Sequence, residues 1–330
     1  MRLARSLCLF VVAVLFPVCG VCAEADRSGP VKLETMWGET RIENTPQRIV
    51  SLSYNGGDHL LALGIKPVAI RHWYGGNAQG VWPWAEEALG GHEPIILRGE
   101  VDVERVALLK PDLIEALWSG ISEDEYRQLS KIAPVLAPRA EYGSYGTPWP
   151  VMLKTIGVAT GKADEADRLV RELEGRFAET RRRHPGWQGR TVAVGWPGGP
   201  GFYTAGDIRG RLMKELGFEI PDALERLSPG TYYINVSREL TELYDTDVLI
   251  WLDSGVGVSA VRSLPLRHTM RAFRQGRELV ADPLLAAAMS FSSPLSLGYA
   301  LDRLVPLIEA AVDGDPETRV PSTVAAGLAE

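Results

Sequence analysis

One helix-turn-strand pattern occurs twice in this chain, once in each half, and it constrains the fold more than any other feature. Glu104 stands eight residues before Asp112, and Glu239 stands eight before Asp247. Leu108 and Leu243 each follow their glutamate by four positions, and Leu113-Ile114 and Val248-Leu249 open the apolar run behind each aspartate. Side chains four apart share a helix face, and the apolar runs have strand length. Two similar lobes are therefore expected, each presenting a carboxylate, Glu104 or Glu239, at the same place on its surface. Charges matched in this way suit a two-fold symmetric partner.

The rest of the chain fills in around that repeat. Residues 48–53 read as a strand that stops at Asn55-Gly56-Gly57, and a helix over 58–63 is closed by Gly64. A strand over 67–70 delivers Arg71, His72, Trp73 and Tyr74 at its carboxyl end. Helices over 103–109 and 123–131 alternate with strands over 112–117 and 135–137, with Trp118 just past the third strand. Alternation of this kind gives a parallel sheet that binds ligands beyond its strand ends.

From Pro150 to Arg183 the character changes: Leu169, Val170, Leu173 and Phe177 fall at helical spacing. Asp164 and Glu165 near the start and Arg181, Arg182 and Arg183 at the end complement a helix dipole. Alternation resumes with strands over 191–196, 202–205, 248–252 and 278–281 and helices over 208–216 and 295–311. The expected fold class is α/β: two similar lobes with central parallel-type sheets joined by a single long helix. The division is 24–150, 151–187 and 188–330, since 330 residues exceed what one compact core holds.

The first 23 residues read as a signal peptide, with Arg2 and Arg5 ahead of an apolar run from Leu7 to Val18 and Val21-Cys22-Ala23 as the cleavage box. Cleavage near Ala23 gives a soluble exported protein; a lipid anchor at Cys22 is the alternative. Cys8, Cys19 and Cys22 are the only cysteines, so the mature chain has no disulfide, thiol nucleophile or thiolate metal site. The net charge of −7 becomes more negative when Arg2 and Arg5 are removed, which argues against a nucleic-acid partner.

No nucleophile elbow, Walker loop or zinc-protease helix motif occurs. Gly195-Trp196-Pro197-Gly198-Gly199 follows a strand but lacks dinucleotide spacing, and reads as a pocket wall. His59, His72, His92, His184 and His268 lie in separate elements without ligand spacing, so no direct metal site is expected. Aromatic residues and arginines gather instead at strand ends and loops. The candidate ligand-binding set is Tyr54, Arg71, Trp73, Tyr74, Arg98, Trp118, Tyr145, Trp196, Arg209, Tyr233 and Trp251, with Trp149, Tyr203 and Tyr232 nearby in sequence. A cleft of this composition suits a bulky, partly apolar anion, because guanidinium pairs with oxyanions while rings cover an organic backbone.

Residues 48–52, 60–68 and 106–114, the last reading Val-Ala-Leu-Leu-Lys-Pro-Asp-Leu-Ile, make the chain resemble the binding proteins with a rigid helical linker that serve ferric siderophores, haem and cobalamin. Tyr145-Gly146-Thr147-Pro148-Trp149, 290–297 and 299–304 are similar to segments of the ferric-siderophore branch. The resemblance implies a periplasmic solute-binding protein, monomeric and without catalysis or cofactor, that hands a ferric siderophore to an inner-membrane ABC permease. It places Arg98 where a ferrichrome-binding arginine contacts the iron-hydroxamate centre, and Glu104 and Glu239 where glutamates dock onto permease arginines. Only slight lobe closure is implied. Haem, with His72 or a tyrosine as axial ligand, and cobalamin are alternative cargoes, and an exported hydrolase using Asp253 and Asp282 is the alternative from another class.

Overall fold

The computed structural model describes residues 29–197, 201–227, 229–253 and 258–329. The segment read as a signal peptide, with Cys22 and Ala23, and Gly198-Gly199 of the glycine-rich run lie outside the described residues. A hairpin opens the fold, β1 (Val31–Thr35) against β2 (Gly38–Ile42). Then come β3 (Ile49–Ser51), α1 (Gly56–Ala62), β4 (Ala69–Arg71), α2 (Pro83–Leu89), β5 (Ile95–Leu97), α3 (Val103–Leu108), β6 (Leu113–Glu115), α4 (Glu123–Leu129) and β7 (Val135–Leu136). The five strands β3 to β7 form one parallel sheet in the order β5-β4-β3-β6-β7. Strand order reverses between β3 and β6, so a crevice opens beyond their carboxyl ends.

The connecting segment is two helices, α5 (Trp149–Ala159) and α6 (Ala163–Arg183), where the sequence suggested one. The break is a Schellman turn: Gly161 takes a φ of 72° and the Lys162 N–H donates to Gly157 O. α6, 21 residues long, buries Ala166, Val170, Leu173 and Phe177 along one stripe and exposes its charged face.

The second half holds β8 (Val192–Trp196), β9 (Gly201–Tyr203), α7 (Ile208–Glu215), α8 (Asp222–Glu225), β10 (Tyr233–Asn235), β11 (Val248–Leu252), α9 (Ser259–Arg262), α10 (Arg271–Arg274) and β12 (Glu278–Ala281). α11 (Pro283–Phe291), α12 (Pro294–Ala311) and α13 (Pro321–Ala325) close the chain. Its sheet runs β10-β9-β8-β11-β12; β8, β11 and β12 are parallel, whereas β9 and β10 are antiparallel. The molecule is thus α/β with two five-stranded sheets, the second carrying an antiparallel edge that the sequence did not reveal.

The sequence echo has a structural cause. Asp112 accepts from the N–H groups of Gln47 and Arg48 at 2.8 Å each, just before β3. Asp247 accepts from the Thr191 N–H at 2.9 Å, just before β8. Both aspartates clamp the start of the first strand of their sheet to the strand beside it, in the same register. The helical part of the echo is less alike, because the second copy keeps only a single 3₁₀ turn, Thr241–Leu243. Tyr244, fully buried against Phe202 and Trp251, draws the chain into the core there.

The halves are joined a second time by the elbow between α11 and α12. Ser292 takes a φ of 48°, a left-handed conformation that costs a residue with a Cβ about 1 kcal/mol. The elbow seats itself on α1: Asn55 Nδ2 donates to Phe291 O at 2.9 Å, and Ser293 Oγ donates to Asp58 Oδ2 at 3.1 Å. Ser293 also caps α12 through the Ser296 N–H.

Candidate functional site

The first wall stands on the switch point of the parallel sheet. Ser53 Oγ donates to buried Glu115 at 2.6 Å and accepts from the Trp118 N–H at 2.8 Å, while the Tyr54 N–H donates to Trp118 O. Tyr54 and Trp118, on the loops after β3 and β6, are thereby fixed to each other, with ring centroids 6.2 Å apart. Trp73 packs against both, at 5.7 Å and 5.3 Å. Tyr145 stands edge-on to Trp118 at 5.2 Å, and Trp118 Nε1 donates to Tyr145 O.

Arg71 lies beneath this wall, its guanidinium 4.4 Å from the Tyr54 centroid. Its Nε and Nη2 donate to Gly99 O and its Nη1 to Ser119 O. It therefore ties two strand-end loops together and is almost fully buried. Glu115 accepts from Ser51, Ser53 and the Leu117 N–H with no cation among these donors, and burial pushes its carboxyl group up. Gly56 is required above it, since a Cβ there would fall 1.8 Å from Glu115 Oε2.

The facing wall comes from the second half. Asp207 caps α7 and binds Arg209 with both oxygens, at 3.2 and 3.1 Å. Arg209 Nε donates to Ser290 Oγ, and the guanidinium lies 4.2 Å from the Tyr203 centroid and 5.9 Å from that of Trp73. Tyr74 reaches across to Ser290 and Arg209. Tyr203 packs at 5.2 Å against Tyr233, whose phenol burial pushes up to about 12; burial also raises Tyr74 and Tyr203. All three phenols are uncharged at neutral pH. Phe291, on the elbow, contacts Trp73, Tyr74, Trp82 and Trp84.

Of the residues singled out from sequence, Tyr54, Arg71, Trp73, Tyr74, Trp118, Tyr145 and Arg209 join one contiguous cluster, and Tyr233 extends it through Tyr203. Arg98 is exposed on the loop after β5, beside Glu100 and Arg105. Trp196 ends β8, half-buried. Trp251 is a correction: it is fully buried, packs on Phe202 and Tyr244, and donates to Glu278, which Arg267 also binds. It is core, not cleft. Trp149, the first residue of α5, is buried, and Tyr232 donates to Tyr142 O.

His72 Nε2 lies 3.0 Å from Gly75 O, within its own loop. Asp282 caps α11 through the Leu285 N–H. Sequence reasoning missed Trp82, Trp84, Phe291, Ser290 and Asp207. Trp82-Pro83-Trp84 at a helix start and the Asp207-Arg209 spacing were the available signals. Among the described residues no group of three or more His, Cys, Asp or Glu side chains could hold a metal ion. No described helix is long and apolar enough to cross a membrane. Glu104 and Glu239 are both exposed.

Comparison with known proteins gives consistent matches. The family model described as "Periplasmic binding protein" matches residues 49–283. A probable siderophore-binding lipoprotein, YfiY of Bacillus subtilis, is 28% identical over 263 residues, covering 74% of this chain and 77% of that protein. Among solved structures, a periplasmic solute binding protein of Mycobacterium smegmatis superposes with a TM-score of 0.75 at 31% identity, covering 86% of this chain and 99% of the other. PiaA of Streptococcus pneumoniae in complex with ferrichrome gives a TM-score of 0.72 at 27% identity, again covering 86% and 99%.

Proposed function

We propose, from the premise that this chain belongs to the periplasmic binding protein family, that it captures a ferric siderophore and delivers it to an ABC importer of the inner membrane, performing no covalent chemistry. The carrying observation is the cluster itself. Rings from the strand ends of one half and an arginine, phenols and Phe291 from the other meet at a single place between two sheets. A chelate held there would be gripped by both halves at once, with flat apolar faces against its organic shell and fixed donors toward its oxygens.

In this reading Tyr54, Trp73, Tyr74, Trp118, Tyr145, Arg209 and Tyr233 contact the chelate, Arg71 sets the wall, and Arg98 stands at the mouth. Residues 24–150 and 188–330 are the lobes, 151–187 connects them, and 1–23 direct export to the periplasm, where the protein acts as a monomer. Glu104 and Glu239 form the permease-facing pair.

The test is intrinsic fluorescence. Trp73 and Trp118 sit in the cluster, so a bound ferric chelate quenches them; titration across hydroxamate, citrate-type and catecholate chelates is expected to give saturable quenching with at least one. A flat response to every chelate would refute the proposal.

A further inference from the structure

We infer that the cleft is built for a ferric chelate of zero or low net charge, the charge class of tris-hydroxamates, and that it discriminates against multiply anionic catecholate and carboxylate complexes. The inference rests on the siderophore reading above and comes from a charge census of the two walls. Arg209 is buried with Asp207 at 3.1 Å, so that pair brings no net charge. Arg71 has no carboxylate partner among the described residues, but three of its N–H groups are already given to Gly99 and Ser119 carbonyls. Arg98 is exposed and has Glu100 beside it. Residues 198–200, 228 and 254–257 include no charged side chain. Arg211 gives Nη1 to Gly146 O and lines a separate pocket with Pro148, Lys214 and Glu215, so among the described residues Arg71 is the uncompensated cation facing the rings, and it is partly engaged.

A multiply negative chelate would lose water on entering this ring-lined site and find one guanidinium in return. An ion desolvated without a partner gives up more free energy than aromatic contact returns. A ferric tris-hydroxamate is different, because three singly negative groups cancel the iron charge and leave an aliphatic shell with weakly basic oxygens. The neutral Tyr203 phenol can donate to such oxygens without adding charge, and Tyr54, Trp73 and Trp118 cover the aliphatic part.

The experiment titrates the mature protein with ferrichrome, ferric dicitrate and ferric enterobactin, at low salt and at roughly half-molar salt, where exposed charge interactions are screened. Ferrichrome is expected to bind on the order of 100-fold more tightly than either anionic complex, with an affinity that salt leaves unchanged. Ferric enterobactin or dicitrate binding as tightly as ferrichrome, or tighter, overturns the charge-class assignment while the transport reading survives. Quenching by none of the three, nor by any other ferric chelate, overturns both. A gain-of-charge variant supplies a second arm: Glu100→Lys, beside Arg98 and within electrostatic reach of Tyr145, should raise affinity for ferric enterobactin at least tenfold at low salt and leave ferrichrome within about twofold. An equal effect on both chelates counts against the inference.

Discussion

Asp58 keeps its carboxylate wholly inside the protein, accepting from Trp84 Nε1 at 2.6 Å and from Ser293 Oγ, with no cation among these partners. Burial raises its pKa from 3.8 to about 6, while neighbouring His59, also buried, is pushed down to about 3 and stays neutral. Between those two Asp58 values the native carboxyl group holds a proton that the unfolded chain has released, so the Asp58 contribution to stability falls as pH rises through the window. The penalty above it is on the order of 3 kcal/mol. His59 acts with the opposite sign over the same range, because the unfolded imidazole holds a proton that the native one lacks, so Asp58→Asn should make urea-measured stability rise more steeply between about pH 4 and 6 than it does in the parent, with Glu115, shifted in the same direction as Asp58, still opposing the rise. An unchanged pH slope in the variant would contradict this account. None of it was legible in the sequence, because the elbow that supplies Ser293 lies 235 positions away. Trp251 was unreadable for another reason. Both faces of β11 are covered, Ile250 and Leu252 on one side and Leu249 and Trp251 on the other, so alternation could not say which face met the cleft.

At the scale of elements, the fit of α5 to α6 depends on Gly157, where a Cβ would fall 2.6 Å from that of Ala166. Gly175, farther along α6, faces open space. The same substitution should then act with opposite sign. Gly157→Ala is expected to lower stability by about 1–3 kcal/mol through overpacking, and Gly175→Ala to raise it by roughly 0.5–1 kcal/mol through helix propensity; urea midpoints measure both. Most strands and helices were legible because their apolar runs and glycine stops are local signals. The break at Gly161 was not, since a glycine within a long helical pattern reads equally as tolerated or terminal. Nor was the antiparallel pairing of β9 and β10, which depends on which edge the chain returns to. The cleft aromatics were legible as a group because strand ends converge in parallel sheets; Trp82, Trp84 and Phe291 reach the cluster from helix ends, where position in sequence gives no such guide.

For the whole molecule, the two exposed glutamates make a prediction that single residues cannot. An exposed ion pair is worth about 0–1 kcal/mol, so reversing Glu104 or Glu239 alone should change little. If they dock the permease as proposed, reversing both should abolish uptake of labelled iron while chelate affinity stays the same, and full transport by the double variant would remove that proposal. Finally, the seating of the elbow on α1 bears on how the chain can be made. Asn55 and Asp58 take their partners from Phe291 and Ser293, after every strand has been laid down. A ribosome or export channel releasing the amino-terminal half first releases a body whose floor is unfinished, with polar groups awaiting hydrogen-bond donors and acceptors still to emerge. Cutting the gene between the sheets should yield fragments that complement each other in a mixture and not two independent miniature proteins.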